Sequence, residues 1–299
     1  MEIAVVGAGS LGSLVGGALA RRHEVTLVGR DPHVAAVRSE GLRVEGRESF
    51  VVHPRATTDD VGLTADLAVV TTKAFDTPAA AGALAAGDVG AVCSLGNGMG
   101  NEEALTRRLE APVVGGTTAL GATLEAPGRV AWLGRGETVV GPWTEGAARP
   151  ARCAAEAFRD AGLPATVTDE IRGRLWEKLA ANAAINPLTA LAGVRNGAVL
   201  ADPLGGTAAA AAKEVAAAAR ASGVPLSATT AVETMARVAR ATAENRSSMA
   251  QDLGAGRRTE VEAINGHVVE RLDPGEAPVN ATLAALVRAR ERDGGTGEV

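Results

Sequence analysis

Apolar positions recur along this chain in two rhythms. In the first half, short runs of Val, Leu and Ala alternate with glycine turns and with stretches of helical spacing. Glu2 to Val6 reads as a strand, residues 13–22 as a helix and Glu24 to Val28 as a second strand. Residues 42–52 read as a hairpin, with Leu42, Val44, Phe50 and Val52 apolar, and 65–72 and 91–95 as buried strands. Segments 113–118, 129–133 and 139–142 are expected to complete the same sheet, before a helix over 150–161 and a last strand at 166–168. From Asp169 onward the rhythm is helical almost throughout, with alanine-rich stretches at 207–221 and 229–242 that suit close helix packing. The change of rhythm places a domain boundary near residue 168. It predicts an α/β domain over 1–168 followed by an all-α domain over 169–299.

Composition narrows the picture. A chain of 299 residues, 46% hydrophobic and only 2% aromatic, can bury two cores built mainly of small aliphatic side chains. A formal charge of -5 argues against a nucleic-acid partner, so any anionic ligand is met by a local pocket. Cys93 and Cys153 stand far apart without CxxC spacing, which points to a reducing compartment, to no structural zinc and to packing roles. The chain starts without a basic leader, and it has no uninterrupted apolar run of membrane-spanning length. The expectation is a soluble cytoplasmic protein with no membrane partner.

The first strand ends in Gly7-Ala8-Gly9-Ser10-Leu11-Gly12 and a helix follows. In a GxGxxG turn of this kind Gly7 permits the tight turn, Gly9 lets backbone approach a pyrophosphate, and Gly12 permits close helix packing, with the helix N-terminus facing the anion. The second strand completes a βαβ unit around it, which favours a dinucleotide site over a glycine turn without a ligand. Past that strand, about 20 positions after the glycines, an acid suits the ribose 2'-hydroxyl of NAD(H) and an arginine the 2'-phosphate of NADP(H). Arg30 occupies this place and favours NADP(H), while Asp31 beside it keeps NAD(H) open. Lys73 follows a parallel strand and is placed to touch cofactor phosphate or to be solvated. Asn97 lies among three glycines in Gly96-Asn97-Gly98-Met99-Gly100, a pattern that serves either a planar ligand or a plain turn.

In the second half, Lys178, Asn182 and Asn186 recur at helical spacing in an otherwise apolar stretch, as either a ligand-facing stripe or a capped solvent face. Further on, Ser247 or Ser248 is suited to cap a short helix and Thr259 to start the next, on which Ile264 and Val268 face the core. Glu260 and Glu262, two apart, cannot share a face, so at most one reaches a site.

The glycine turn, Lys73, Gly96 to Gly100, Trp176-Glu177-Lys178-Leu179-Ala180-Ala181-Asn182, Ile185-Asn186-Pro187-Leu188-Thr189-Ala190, Ser247-Ser248-Met249-Ala250-Gln251-Asp252 and Arg258-Thr259-Glu260 together resemble the ketopantoate reductase family. The likeness runs nearly the whole chain, through Pro278-Val279-Asn280 to Gly295-Thr296-Gly297. It implies a Rossmann-type N-terminal domain, a helical C-terminal domain, and reduction of 2-dehydropantoate to pantoate with NADPH on the route to pantothenate and coenzyme A. By this resemblance Lys178 is the proton donor, and Glu260 positions Lys178 or a substrate hydroxyl. Asn182, Asn186 and Ser248 hold the substrate's carboxylate and hydroxyls, and Asn245 bridges substrate and nicotinamide. On the cofactor side it implies Gly7, Ala8, Gly9, Ser10, Leu11, Gly12, Arg30, Lys73, Asn97, Ala122 and Glu125. The implied partner is a small keto acid, no metal is required, and a homodimer is left open. A related reductase of another 2-keto acid is the nearest alternative. A nonenzymatic NADP-binding sensor is a further one, although a sensor needs none of Lys178, Asn182 and Glu260.

Overall fold

The computed structural model describes residues 1–294. The Gly295 to Gly297 part of the resemblance lies outside the described residues. The chain divides into two compact units: Met1–Gly96 with Gly100–Ile171, and Asn97–Met99 with the residues from Arg172 onward.

The first unit opens with β1 (Glu2–Val6), α1 (Ser10–Leu19) and β2 (Glu24–Val28), a βαβ unit with β1 and β2 parallel. Next come α2 (His33–Glu40), β3 (Leu42–Gly46), β4 (Phe50–Val52), β5 (Arg55–Thr57), β6 (Thr64–Ala65) and β7 (Leu67–Val70). The unit continues through α3 (Thr77–Ala85), β8 (Asp88–Val89), β9 (Val92–Ser94), α4 (Asn101–Thr106) and β10 (Val113–Thr118). It ends with β11 (Gly121–Ala126), β12 (Arg129–Gly134), β13 (Thr138–Pro142), α5 (Ala148–Asp160) and β14 (Ala165–Val167).

Eight strands form one sheet in the order β14-β13-β10-β9-β7-β1-β2-β5, parallel except where β13 meets β10. The run from β5 to β10 has the doubly wound order of a Rossmann-type sheet, in which ligands bind beyond the carboxyl ends of the strands where the winding reverses, here beside β1 and β7. β1 and β7 are buried along almost their whole length, as a sheet covered on both faces requires.

Two expectations need correction. Residues 129–133 do not join this sheet: β12 pairs with β11 and β3, in a second sheet of order β11-β12-β3-β4. The reason lies in α1. Its Gly16 presses on Leu27 of the main sheet, while a Cβ on the neighbouring Gly17 would lie 3.0 Å from Leu42 and 3.1 Å from Val44 of the second sheet. Both faces of α1 therefore need apolar cover, and β12 supplies part of the second with buried Val130 and Trp132. The helix expected over 13–22 instead spans Ser10–Leu19, because the last residues of the glycine turn are already its first turn.

The second unit is helical. α6 (Ile171–Ala192) begins at the end of the first unit and continues into it, followed by a 3-10 turn (Asn196–Leu200), α7 (Gly205–Ala221), α8 (Ala228–Ala241) and α9 (Ser248–Gly254). A π-helical turn (Glu262–Gly266), α10 (His267–Glu270) and α11 (Pro278–Gly294) complete it. Ala208, Ala211, Ala212, Ala216 and Ala219 of α7 are fully buried, so the alanine richness serves close helix packing. No described helix is long and apolar enough to cross a membrane.

Candidate active site

In the first unit, the carboxyl ends of β2, β1 and β7 bring the glycine turn and its neighbours together. Gly7 and Ala8 donate their N–H groups to the Val28 carbonyl at 3.0 and 2.8 Å, and Thr71 Oγ1 donates to the Gly7 carbonyl at 2.9 Å. The three glycines do different work. Gly7 has φ +103°, and a Cβ there would lie 2.7 Å from the Thr72 nitrogen; a Cβ on Gly12 would collide with the Gly7 carbonyl oxygen. Around Gly9 the nearest atom to an added Cβ is 4.0 Å away, so packing within the protein does not require glycine there. Close approach of a ligand would. No side chain caps α1, whose first-turn N–H groups are therefore available to an anion. These residues fit a dinucleotide pyrophosphate.

Ser10 Oγ accepts the Leu124 N–H at 3.0 Å, tying β11, which carries half-buried Ala122 and exposed Glu125, to the glycine turn. Glu125 pairs with Arg129 at 3.3 Å. Leu11 packs against the core of this unit. Arg30 is exposed and bonded to Asp76, while Asp31 accepts a hydrogen bond from the main chain of α2. Lys73 is half-buried in the turn after β7, where its carbonyl accepts the Asp76 N–H at 2.8 Å.

Beneath the turn sits a group that sequence reasoning missed. The Gly128 N–H donates to His33 Nδ1 at 3.0 Å, so Nε2 carries the ring proton and donates to Ser13 Oγ, also at 3.0 Å. Ser13 in turn donates to the Ala8 carbonyl at 3.3 Å. Burial holds His33 below the ordinary histidine range, in keeping with a neutral ring. A histidine this far from the glycines in sequence gives no local signal.

In the second unit α6 buries Leu175, Trp176, Leu179, Ala180, Ala183 and Ala184. Lys178 and Asn182 are half-buried, Asn186 is buried, and helical spacing puts the three on one face. Ser247, not Ser248, is the cap of α9: its Oγ accepts the Ala250 N–H at 3.2 Å, and it also lies 3.4 Å from the Asn186 carbonyl and 2.8 Å from Thr189 Oγ1. Ser248 and Asn245 are exposed. Glu260 is buried, whereas Glu262 pairs with Arg288 through both oxygens at 2.6 Å, which lowers its pKa, so only one of the two carboxylates is inside.

Asn97 groups with this unit. Its Nδ2 lies 3.5 Å from Glu260 Oε2, and the Met99 N–H donates to the Ala263 carbonyl at 2.9 Å. Gly98, at φ +77°, allows the approach, since a Cβ there would lie 2.6 Å from that of Ala263. Asn265 of the π-helical turn reaches α6 and donates to the Ala183 carbonyl at 2.9 Å. The sequence shows Asn265 but no reason to single it out. Among the described residues no group of His, Cys, Asp and Glu is arranged to hold a metal. Burial and the Glu102 carboxylate push the Cys93 thiol up to about 12, so it is no nucleophile.

Residues 3–145 match the family model described as "Ketopantoate reductase PanE/ApbA", and residues 170–291 match its C-terminal counterpart. The chain belongs to the ketopantoate reductase family. Among its relatives within ketopantoate reductases, a 2-dehydropantoate 2-reductase of Pyrococcus horikoshii is 40% identical over 99% of both chains. One of Halobacterium salinarum is 44% identical, covering 98% of this chain and 100% of its own. A ketopantoate reductase solved from Ralstonia eutropha superposes with TM-score 0.89 at 35% identity, covering 98% of this chain and 99% of its own. Ketopantoate reductases are NAD(P)H-dependent oxidoreductases, and this chain is one of them.

Proposed function

We propose that this chain is a 2-dehydropantoate 2-reductase that reduces the 2-keto group of 2-dehydropantoate to the alcohol of pantoate, with NADPH as its preferred reductant, in the cytoplasm. The observation that carries the reading is the polar face of α6, on which Lys178 and Asn182 are only half-buried while every other residue from Leu179 to Thr189 is buried. When bound, the dihydronicotinamide supplies a hydride to the ketone carbon. Negative charge then builds on the ketone oxygen, and the Lys178 ammonium stabilises it and delivers the proton that completes the alcohol. Asn182 and Asn186, with their paired amide donors and acceptors, and the exposed Ser248 hydroxyl hold the substrate's carboxylate and hydroxyl, with Asn245 beside them. The Glu260 carboxylate, 3.5 Å from the Asn97 amide, orients Lys178 or the substrate hydroxyl.

On the cofactor side, the open space over Gly9 and the uncapped N-terminus of α1 favour the pyrophosphate, and Arg30 the 2'-phosphate. Lys73 adds a cation at the end of β7, and Ala122 and Glu125 are assigned to the cofactor side on β11, which Ser10 ties to the glycine turn. The test is loss of reduced-nicotinamide absorbance in the presence of 2-dehydropantoate, run with NADPH and with NADH. Turnover is expected with NADPH; none with either cofactor overturns the reading.

A further inference from the structure

Arg30 stands near two carboxylates that are put to opposite uses. Asp31 Oδ1 accepts the N–H of Ala35 at 3.1 Å and so serves the first turn of α2. Asp76 does the reverse. It occupies the N-cap of α3, where an aspartate ordinarily accepts an N–H from its own helix, yet its side chain makes no cap bond. Its Oδ2 accepts Arg30 Nη2 at 3.0 Å instead. The Asp76 main chain is held by the Lys73 carbonyl at 2.8 Å, so the turn leaving β7 sets where the carboxylate stands. Arg30 is 85% exposed and Asp76 36% exposed, and an ion pair that open adds little to stability. Its consequence falls on whatever else the guanidinium binds.

We propose that Asp76 is a specificity-determining residue for the nicotinamide cofactor: it competes with the 2'-phosphate of NADPH for Arg30 and offers a carboxylate acceptor to the ribose 2'-hydroxyl of NADH, so the enzyme uses both cofactors. The proposal rests on the reading of Arg30 as the 2'-phosphate residue. A 2'-phosphate carries up to about two negative charges near neutral pH. It meets the Arg30 guanidinium with two anions, Asp31 and Asp76, close by, and must displace Asp76 before the guanidinium can grip it with two hydrogen bonds. NADH carries no such charge. The acid that an NAD-binding fold ordinarily places at the end of its second strand is here supplied from the turn after β7, because Asp31 is engaged with its own helix.

The experiment is direct titration of the purified full chain with NADPH and with NADH, comparing the wild type with Asp76→Asn and Arg30→Ala. Asp76→Asn keeps the side chain's shape at an exposed position, and a thermal melt checks that the fold is intact. It should tighten NADPH by about 5- to 10-fold, a gain that shrinks as salt is raised, and weaken NADH by about two- to threefold. Unchanged NADPH affinity, or equal changes for both cofactors, overturns the proposal. Arg30→Ala separates the two levels of the argument. If it weakens NADPH selectively while Asp76→Asn does nothing, the Arg30 reading stands and the role of Asp76 falls. If it affects both cofactors alike, the Arg30 reading falls and the Asp76 proposal falls with it.

Discussion

Asn265 makes good the hydrogen bond that Pro187 removes. Pro187 lies inside α6 and has no N–H to give the Ala183 carbonyl one turn back, and Asn265 Nδ2 donates to that carbonyl at 2.9 Å. The same Nδ2 lies 2.8 Å from Asn280 Oδ1, and the Asn280 amide reaches Glu214 at 2.7 Å, so α6, α7, α11 and the π-helical turn share one buried network. π-helical turns recur at functional sites, and this one begins two residues after Glu260. Asn265→Ala should cost about 2 kcal/mol by orphaning the carbonyl, and about 1 kcal/mol less in a Pro187→Ala background, where the helix supplies its own donor. Urea unfolding of the four proteins measures this coupling; strictly additive costs would reject it.

Gly9 and Gly12 should separate in their effects. Gly12→Ala drives a Cβ into the Gly7 carbonyl and should cost about 1–3 kcal/mol of stability. Gly9→Ala meets only open space in the protein, so its melting point should stay close to the wild type. Its affinity for NADPH should nevertheless fall by about 10-fold or more, because the methyl occupies the ligand's approach. Unchanged NADPH affinity in Gly9→Ala would remove the turn from the cofactor site.

Lys178→Ala should lower kcat by about 100- to 10,000-fold, the range of a lost proton donor, with NADPH affinity unchanged. Steady-state rates combined with cofactor titration distinguish this from a binding defect. A wild-type kcat in the variant would reject the donor role.

Acid should weaken the helical unit through His267. Burial and the nearby Arg271 hold its pKa at about 4, against an ordinary 6.5, with the Trp176 ring 5.6 Å away. The unfolded chain takes up a proton on this ring as pH falls through 6.5, whereas the folded chain resists until about 4. The stability held by the neutral ring is thus complete above pH 6.5 and is lost progressively down to pH 4, by about 3 kcal/mol in all. His33, lowered in the same direction, adds to the effect in the first unit. Denaturant midpoints at neutral and mildly acidic pH in the wild type and His267→Asn check it: the variant should show the shallower pH dependence.

Much of this protein is encoded locally. The strand, glycine turn and helix from Glu2 to Leu19, the strand Glu24–Val28 and the long helix bearing Lys178, Asn182 and Asn186 follow from patterns within one element, because backbone sterics and apolar periodicity act over a few residues. Near neighbours likewise decide that Glu260 and Glu262 part company. What the sequence leaves open depends on partners far along the chain. Whether Asp31 or Asp76 faces Arg30 turns on a contact spanning 46 residues, and the donor for the Ala183 carbonyl comes from 82 residues away. The tertiary structure also decides that β12 covers α1 instead of extending the main sheet, and that Asn97 stands by Glu260. Residues with identical local patterns can satisfy their hydrogen bonds and bury their apolar faces with several partners, and only the packed chain selects among them.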